Sequence, residues 1–451
     1  MRTILPILFI ILVSARIAHA ADVPYVTASM REPGYWIQQQ SLPDRVVMDP
    51  QGIVAFNQGL YAQGLCDDLS IFPSVWPGEK LKMEIEGLAM NLSVLKLFDR
   101  DGHNAGPDLY ATWTENMALD VLGNQVRVRY AFTSAFTNQR LLPTDDPLYD
   151  KPGDVNFDQV QNSGLDPATP LVVLHESADG SWLYVKDGIS SGWVKREEIA
   201  FCDKSTWLRS VTGKNMAVVT AARTAIYLDA TMVKAVAVAR MGSRFVIKRA
   251  GRGFMEIVYP LRHSDGTARF VSGFILPTDI MRGFLPYTPR IVITQAFKLL
   301  DAPYGWGDMH GDQDCSRFIH MVFATMGLDL PRNSTEQARS GLSLAEFNAG
   351  ASLKEKLELI SSQGLGGLVL LRLKGHIMLY LGQVKDRLYA IHAIWAYREK
   401  GPQGDVATVL GRVVVSDLSL GEGSSRGSLL ERVVAVRLLK GDNPDSGVGQ
   451  R

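Results

Sequence analysis

The sequence predicts a multi-domain α+β chain: a helical, loop-rich N-terminal domain, two small β-barrels, and a C-terminal α+β unit that carries the chemistry. Three observations predict it. At 451 residues and 46% hydrophobic composition the chain is too long for a single core. Its local pattern changes twice, from irregular helical stretches to short β-type runs near residue 127, and to a helix followed by longer strands near residue 288. Within the last unit, Asp314-Cys315-Ser316 stands at a helix start, and His376 and His392 follow in strand-like runs.

Residues 1–20 carry Arg2, an apolar run from Ile4 to Val13 and Ala18-His19-Ala20 before Ala21, the pattern of an export signal peptide. The run ends near Arg16, short of the roughly 20 residues that span a bilayer. No cysteine lies near the expected cleavage site and no later stretch is apolar enough to span. The expected mature protein is therefore periplasmic or secreted, with no membrane insertion after cleavage. Formal charge is balanced, 47 basic against 47 acidic residues, which gives no electrostatic reason to expect nucleic acid as a partner. Three cysteines in an exported chain allow at most one internal disulfide. Cys315 is expected to stay free, and the pairing of Cys66 with Cys202 stays open, as does oligomeric state.

Residues 21–125 read as the N-terminal domain, with loop signals at Glu32-Pro33-Gly34 and Trp76-Pro77-Gly78 and a helical stretch from Glu79 to Leu88. Asp99 to Asn104 resembles the start of a calcium loop but reads as a turn, because Asn104 occupies the glycine position and Tyr110 the position of the bidentate Glu. Residues 126–203 give short β-runs, Val128 to Phe132, Leu171 to His175, Trp182 to Val185 and Gly192 to Val194. Residues 204–284 repeat the pattern, with β-type sequence from Trp207 onward, so the two segments read as diverged copies of one module. The final unit, 285–440, opens with a helix bearing Ile293, Phe297 and Leu300 on one face and ended by Pro303; the tail 441–451 is expected to be disordered. Gly188 to Gly192 matches a nucleophile-elbow pattern, but it lies between two β-runs, where that elbow has no strand-to-helix turn.

A thiolate nucleophile needs its pKa lowered, by a helix N-terminus and a nearby imidazole. Both devices are legible. Ser316 to Met326 reads as a helix with Phe318, Met321 and Val322 on its buried side, Cys315 at its first turn and Asp314 as N-cap. An isolated cysteine is more often a buried structural thiol, but a polar helix start is a poor place for one. His376 and His392 fall on strands joined by a turn near Lys385-Asp386; they share a face when His376 lies opposite an even-numbered residue near Ile394. In this reading His376 is the general base and His392 orients it, while the Cys315 N–H and the Tyr304 hydroxyl hold the oxyanion. Tyr304-Gly305-Trp306-Gly307 would wall the cleft. His310 is read as solvent-exposed and His320 as packed. No Cys/His cluster has zinc spacing, so no metal or other cofactor is expected.

These motifs, together with Leu330-Pro331-Arg332-Asn333-Ser334 and Gln337, resemble the NlpC/P60 cysteine peptidases, whose domain is papain-like. Arg140-Leu141-Leu142-Pro143-Thr144, Gly192-Trp193-Val194 and Gly273 to Pro277 resemble bacterial SH3-type barrels, and Asp44 to Asn57 resembles an N-terminal stabilising domain of multi-domain members. The resemblance implies hydrolysis of the bond between γ-D-glutamate and a diamino acid in peptidoglycan stem peptides, with a free N-terminal L-alanine favoured by the first barrel. It implies Cys315, His376 and His392 as catalytic residues and Tyr304, Trp306, Asp314, Ser316, Asn333 and Ser334 as substrate contacts. Asp145, Asp146 and Asp150 are candidates to bind the substrate amine. The chain departs from the family at Asp308 and Arg317, each standing where glycine is usual. Two alternatives remain: a wall-binding protein with an inactive papain-like scaffold, and an amidase or acyltransferase acting on another substrate.

Overall fold

The computed structural model describes residues 23–348 and 350–441. The expected signal peptide lies outside the described residues, as does the expected tail beyond Gly441. No helix among the described residues is long and apolar enough to cross a membrane.

The N-terminal region is helical, with helices at Pro50–Ala62, Gly78–Ser93 and Pro107–Asn116. Pro50 and Pro107 occupy first turns, where a missing N–H costs nothing, and Asp49 caps its helix by accepting the Gly52 amide at 2.7 Å. Among the described residues this region forms no core of its own. Up to Leu65 its apolar side chains, including Trp36, Phe56 and Leu60, join the core of the C-terminal unit. From Leu69 onward Trp76, Leu81, Ile85 and Trp113 pack instead with the first barrel, around Trp193 and Trp207. The region thus packs on both the C-terminal unit and the first barrel. Asp99 accepts the amides of Asp101 and His103 at 3.0 and 2.8 Å, which makes that segment a turn.

The first barrel is a seven-stranded sheet running in spatial order Gln161–Leu165, Thr137–Arg140, Ser191–Lys195, Trp182–Lys186, Pro170–Glu176, Arg129–Thr133 and Ile199–Cys202. The second is also seven-stranded, between Met216 and Arg282. The β-type sequence expected from Trp207 begins later than read, because Asp203 caps a helix, Lys204–Thr212, by accepting the Thr206 amide at 2.9 Å. Trp207 is buried on that helix. The three cysteines are all free: Cys66 donates to the Asp329 carbonyl at 3.1 Å, and Cys202 lies in the last strand of the first barrel opposite Tyr130.

The C-terminal unit is a six-stranded antiparallel sheet in the order Leu342–Glu346, Val433–Leu438, Val369–Leu373, His376–Val384, Arg387–Gly401, Gly404–Asp417. The Cys315 helix, Cys315–Ala324, lies across the His376 and Arg387 strands. Its apolar face, Phe318, Ile319 and Val322, is fully buried there. That packing carries the nucleophile to the end of the sheet where His376 begins its strand.

Candidate active site

The helix of Cys315 starts where it does because Asp314 caps it, Oδ1 accepting the Arg317 amide at 2.8 Å. Cys315 therefore sits in the first turn, where free amides and the helix dipole favour a thiolate. The two histidines come together through register. The two strands join at a turn at Lys385-Asp386, and beyond a bulge between Tyr380 and Gly382 the ladder pairs Tyr380 with Ala390 and Leu379 with Ile391. Carried back along the strand, that register sets His376 against Ile394 and turns both imidazoles to one face. His376 Nε2 lies 2.7 Å from His392 Nδ1. His392 Nε2 in turn lies 2.8 Å from Ser416 Oγ, on the neighbouring strand.

This chain fixes the protonation pattern. If His376 is to accept a proton at Nδ1, its Nε2 carries hydrogen and donates to His392 Nδ1, and His392 donates from Nε2 to Ser416. His392 and Ser416 are fully buried, so neither can exchange this bond for water. Ser416 was not legible in the sequence: it comes from a strand that no motif marked, with the opposite strand as its only signal.

Burial pushes the Cys315 thiol up to about 12, with Asp314 adding to it, while the Ile377 amide, Arg332 and the Ser316 amide pull it down. Burial likewise pushes His376 down to about 3 and His392 well below the usual imidazole value. Each of these costs applies to one isolated charge. Passing a proton from Cys315 to His376 creates a thiolate and an imidazolium in contact, so the site at rest holds a neutral thiol and a neutral imidazole, and the transfer accompanies attack. Tyr304 is kept protonated, its phenol raised by burial and then by Cys315 and Asp314, so it remains a donor for an oxyanion.

Three neutral histidines, the buried His392 and the half-buried His320 and His376, also make stability depend on pH. All are lowered by burial, His320 and His376 to about 3. Below the unfolded value near 6.5 the unfolded chain takes up protons that the folded chain refuses. Stability is thus fully present above about pH 6.5 and lost as pH falls toward 3, by up to about 1.4 kcal/mol per pH unit for each histidine. We expect the thermal midpoint to fall by several degrees between pH 7.5 and 5.5; an unchanged midpoint would refute this.

Not every expected substrate contact faces the cleft. Ser316 donates to Asp314 Oδ1 at 2.9 Å and accepts from Arg332 Nη1 at 3.0 Å, so both its hydrogen-bonding roles are taken. Asp314 is bound by Arg332 through both oxygens, at 3.2 and 2.9 Å. These two residues support the nucleophile from behind. Asn333 is exposed, but its side chain caps the short helix Ser334–Gln337, accepting from the amides of Thr335 and Glu336 and donating to Glu336 at 2.6 Å. Tyr304 is close enough to Cys315 for the two to bear on each other's charge, and Trp306 is half-buried beside it. His310 is exposed, whereas His320 is held by the Leu330 carbonyl at 2.8 Å.

The departures at Asp308 and Arg317 resolve as a pair. Arg317 Nε lies 3.4 Å from Asp308 Oδ2, and both are buried. Around them Arg332 donates to Asp308 at 3.1 Å, Arg317 to Asp166 of the first barrel at 2.6 Å, and Arg240 of the second barrel to Asp166 at 2.9 Å. Three aspartates and three arginines from three domains thus balance one another directly behind Cys315. Asp308 has a φ of 68°, unusual for a residue with a side chain, and is held there by the Gly164 amide at 3.1 Å. Gly307 beside it has a φ of 57° and leaves no room for a Cβ, which would stand 2.7 Å from the Gln161 carbonyl.

The first barrel reaches the cleft through Phe157, not through the aspartates considered from sequence. Its ring lies 5.4 Å from Trp306, 5.5 Å from Trp395 and 6.5 Å from Tyr304. Asp145 is paired with Lys195 at 2.7 Å, Asp146 accepts from Thr144, and Asp150 is exposed.

Residues 301–393 match the NlpC/P60 family, and residues 147–195 match an SH3 domain of the SH3b1 type. Among solved structures the chain resembles an NlpC/P60 endopeptidase from Photobacterium damselae subsp. piscicida, at 20% identity and a TM-score of 0.69, covering 88% of this chain and 94% of that one. A second, an NlpC/P60 family protein from Bacillus cereus ATCC 10987, has 15% identity and a TM-score of 0.47 over 68% of this chain and 98% of that one. No curated protein matches the sequence.

Proposed function

From a chain whose C-terminal unit is an NlpC/P60 domain and whose first barrel is an SH3 domain of the SH3b1 type, we propose an exported cysteine endopeptidase. Its substrates are peptidoglycan stem peptides, which it cuts between γ-D-glutamate and the following diamino acid. The observation that carries this reading is the His376–His392 contact of 2.7 Å beside a cysteine in the first turn of a helix.

The proposed steps use that arrangement. As Cys315 attacks the γ-carbonyl carbon, its proton passes to His376 Nδ1, and the carbonyl π pair moves to oxygen, where the Cys315 N–H and the Tyr304 hydroxyl receive it. The tetrahedral adduct collapses, the C–N bond breaks, and His376 gives the proton to the departing amine. Water then enters; His376 takes its proton, hydroxide adds to the thioester, and Cys315 leaves as thiol with the proton returned. Throughout, His392 holds the imidazole by its Nε2–H and is itself held by Ser416.

Phe157 supports a short substrate with a free amino end. Packed against Tyr304, Trp306 and Trp395, it closes the acyl side of the cleft with a residue of the barrel. The test is incubation of the mature protein with unblocked and N-acylated L-Ala-γ-D-Glu-diaminopimelate, followed by mass spectrometry. Cleavage of the free peptide alone is expected. Phe157→Ala should then raise kcat/KM on the acylated form at least about tenfold, the scale on which a hydrophobic pocket discriminates. Equal cleavage of both forms by the unaltered protein would remove the requirement for a free amine. Cleavage of neither would overturn the hydrolase reading itself.

A further inference from the structure

Both barrels have seven strands, but they differ in charge. Residues 126–203 carry seven Lys and Arg against twelve Asp and Glu, whereas residues 204–284 carry thirteen against four, in a chain whose total is zero. A barrel of this kind does not need the excess to fold. Where the second barrel meets other units its cations are matched: Arg223 pairs with Asp312 at 2.5 Å, Arg240 with Asp166 at 2.9 Å and Arg244 with Asp329 at 2.6 Å. The excess lies elsewhere.

It collects at the end of the barrel where the strands Arg244–Gly251 and Phe254–Arg262 join. Gly251 pairs with Phe254, which leaves Arg252 at the tip. Arg249 pairs with Glu256 across the hairpin, binds its carboxylate and lies over the Phe254 ring at 5.2 Å, while Lys248 donates to Ser272 Oγ at 2.8 Å. On the other side of the Arg244–Gly251 strand the Asn215 carbonyl accepts the Ile247 amide at 2.9 Å and the Asn215 side chain donates to the Ile247 carbonyl at 2.8 Å. That antiparallel pairing brings Lys214 beside Lys248. Arg282 donates to Asn215 Oδ1 at 2.7 Å. All five cations are exposed, and among the described residues Glu256 is the one carboxylate that any of them contacts. Apolar side chains stand among them: Leu276 follows Ile275, the partner of Met255, and so lies beside Phe254, while Met281 precedes Arg282, and both are exposed.

Exposed charges of one sign repel one another, so folding does not explain the cluster. A soluble anionic chain would use only its charge. A bilayer of anionic phospholipid uses both features, with headgroup phosphates meeting the guanidinium and ammonium groups while the apolar side chains enter the interface. We propose that this end of the second barrel docks the protein peripherally on an anionic phospholipid surface. Its five cations lie within the about four to eight that such basic clusters carry. The inference does not depend on the peptidase reading, since it uses no residue of the candidate active site.

The test is co-sedimentation of the full-length mature protein with vesicles of phosphatidylcholine alone and of phosphatidylcholine with one-third phosphatidylglycerol. Each cation near an anionic surface contributes about fivefold, so a preference of at least about hundredfold for the anionic vesicles is expected at low salt. It should fall steeply as salt shortens the Debye length from about 10 Å at 0.1 M to about 3 Å at 1 M. Arg252→Glu should weaken binding at least about tenfold. Arg269→Glu reverses an exposed charge at the opposite end of the same barrel, beside the Arg262–Ala268 pair, and should weaken it far less. Leu276→Ser should weaken it by about threefold or more. Thermal midpoints of the variants separate loss of docking from loss of fold. No preference for anionic vesicles, or an equal loss in Arg252→Glu and Arg269→Glu, would overturn the inference. Binding of soluble polyphosphate as tight as that of the vesicles, with Leu276→Ser without effect, would assign the surface to an anionic polymer and overturn the bilayer reading.

Discussion

Cys315→Ala will reduce peptide hydrolysis to background, and His376→Ala will do nearly the same. The expected loss is on the order of 10⁶ in kcat for either, the scale measured when one member of a nucleophile–base unit is removed. Because the two act as one unit, the double variant should be no worse than either single one. That non-additivity is the sharper test: separate costs that multiply would mean that His376 does not take the Cys315 proton. His392→Gln is expected to fall between, by about 10² to 10⁴ in kcat with KM little changed, since it loses tautomer control and not the base itself. The hydrogen bond of 2.8 Å from His392 to Ser416 predicts a smaller loss, about tenfold, for Ser416→Ala. A His392 variant with full kcat would remove it from the mechanism.

The pattern of what was legible in the sequence follows from distance along the chain. Cys315, its cap Asp314 and the helix after it are local, and local chemistry specifies them. The two histidines were legible as candidates because a strand's period of two leaves only one of two faces to choose, but their register was not, because it is set by a bulge between Tyr380 and Gly382 that the sequence does not mark. Phe157, Asp166 and Arg240 were not legible, because each reaches the site from a barrel far away in sequence from its partners there. Asp308 and Arg317 looked like two separate departures near the cleft; only their common burial shows that both belong to one charge cluster, where Arg332 and Asp166 are their closer partners. The N-terminal region misleads differently. Its helices are readable from caps and prolines, but the allegiance of its apolar faces to two different cores has no local signature.

Arg332 is where the fold and the site meet, and its removal should cost more than any other single change outside the catalytic residues. It is buried, and its guanidinium spends its hydrogens on Ser163 Oγ at 2.9 Å, Ser316 Oγ at 3.0 Å, Asp308 at 3.1 Å and both oxygens of Asp314. Arg332→Met keeps much of the volume and removes the charge. Asp314 then has no cation, and Asp308 keeps only the more distant Arg317 and Arg240, at 3.4 and 3.6 Å. Stranding a buried carboxylate in this way costs about 3–5 kcal/mol, which should appear as a thermal midpoint lowered by several degrees or more. Arg332→Lys should recover only part of it, because one ammonium cannot reproduce a planar fork shared among four side chains. Catalysis should suffer beyond the loss of folded protein. Asp314 caps the Cys315 helix, and Arg332 also lowers the thiol's pKa, so thiol alkylation in the folded variant should slow at pH 7. If Arg332→Met unfolds at the same temperature as the unaltered protein and alkylates at the same rate, the six-charge cluster is not what holds the nucleophile in place.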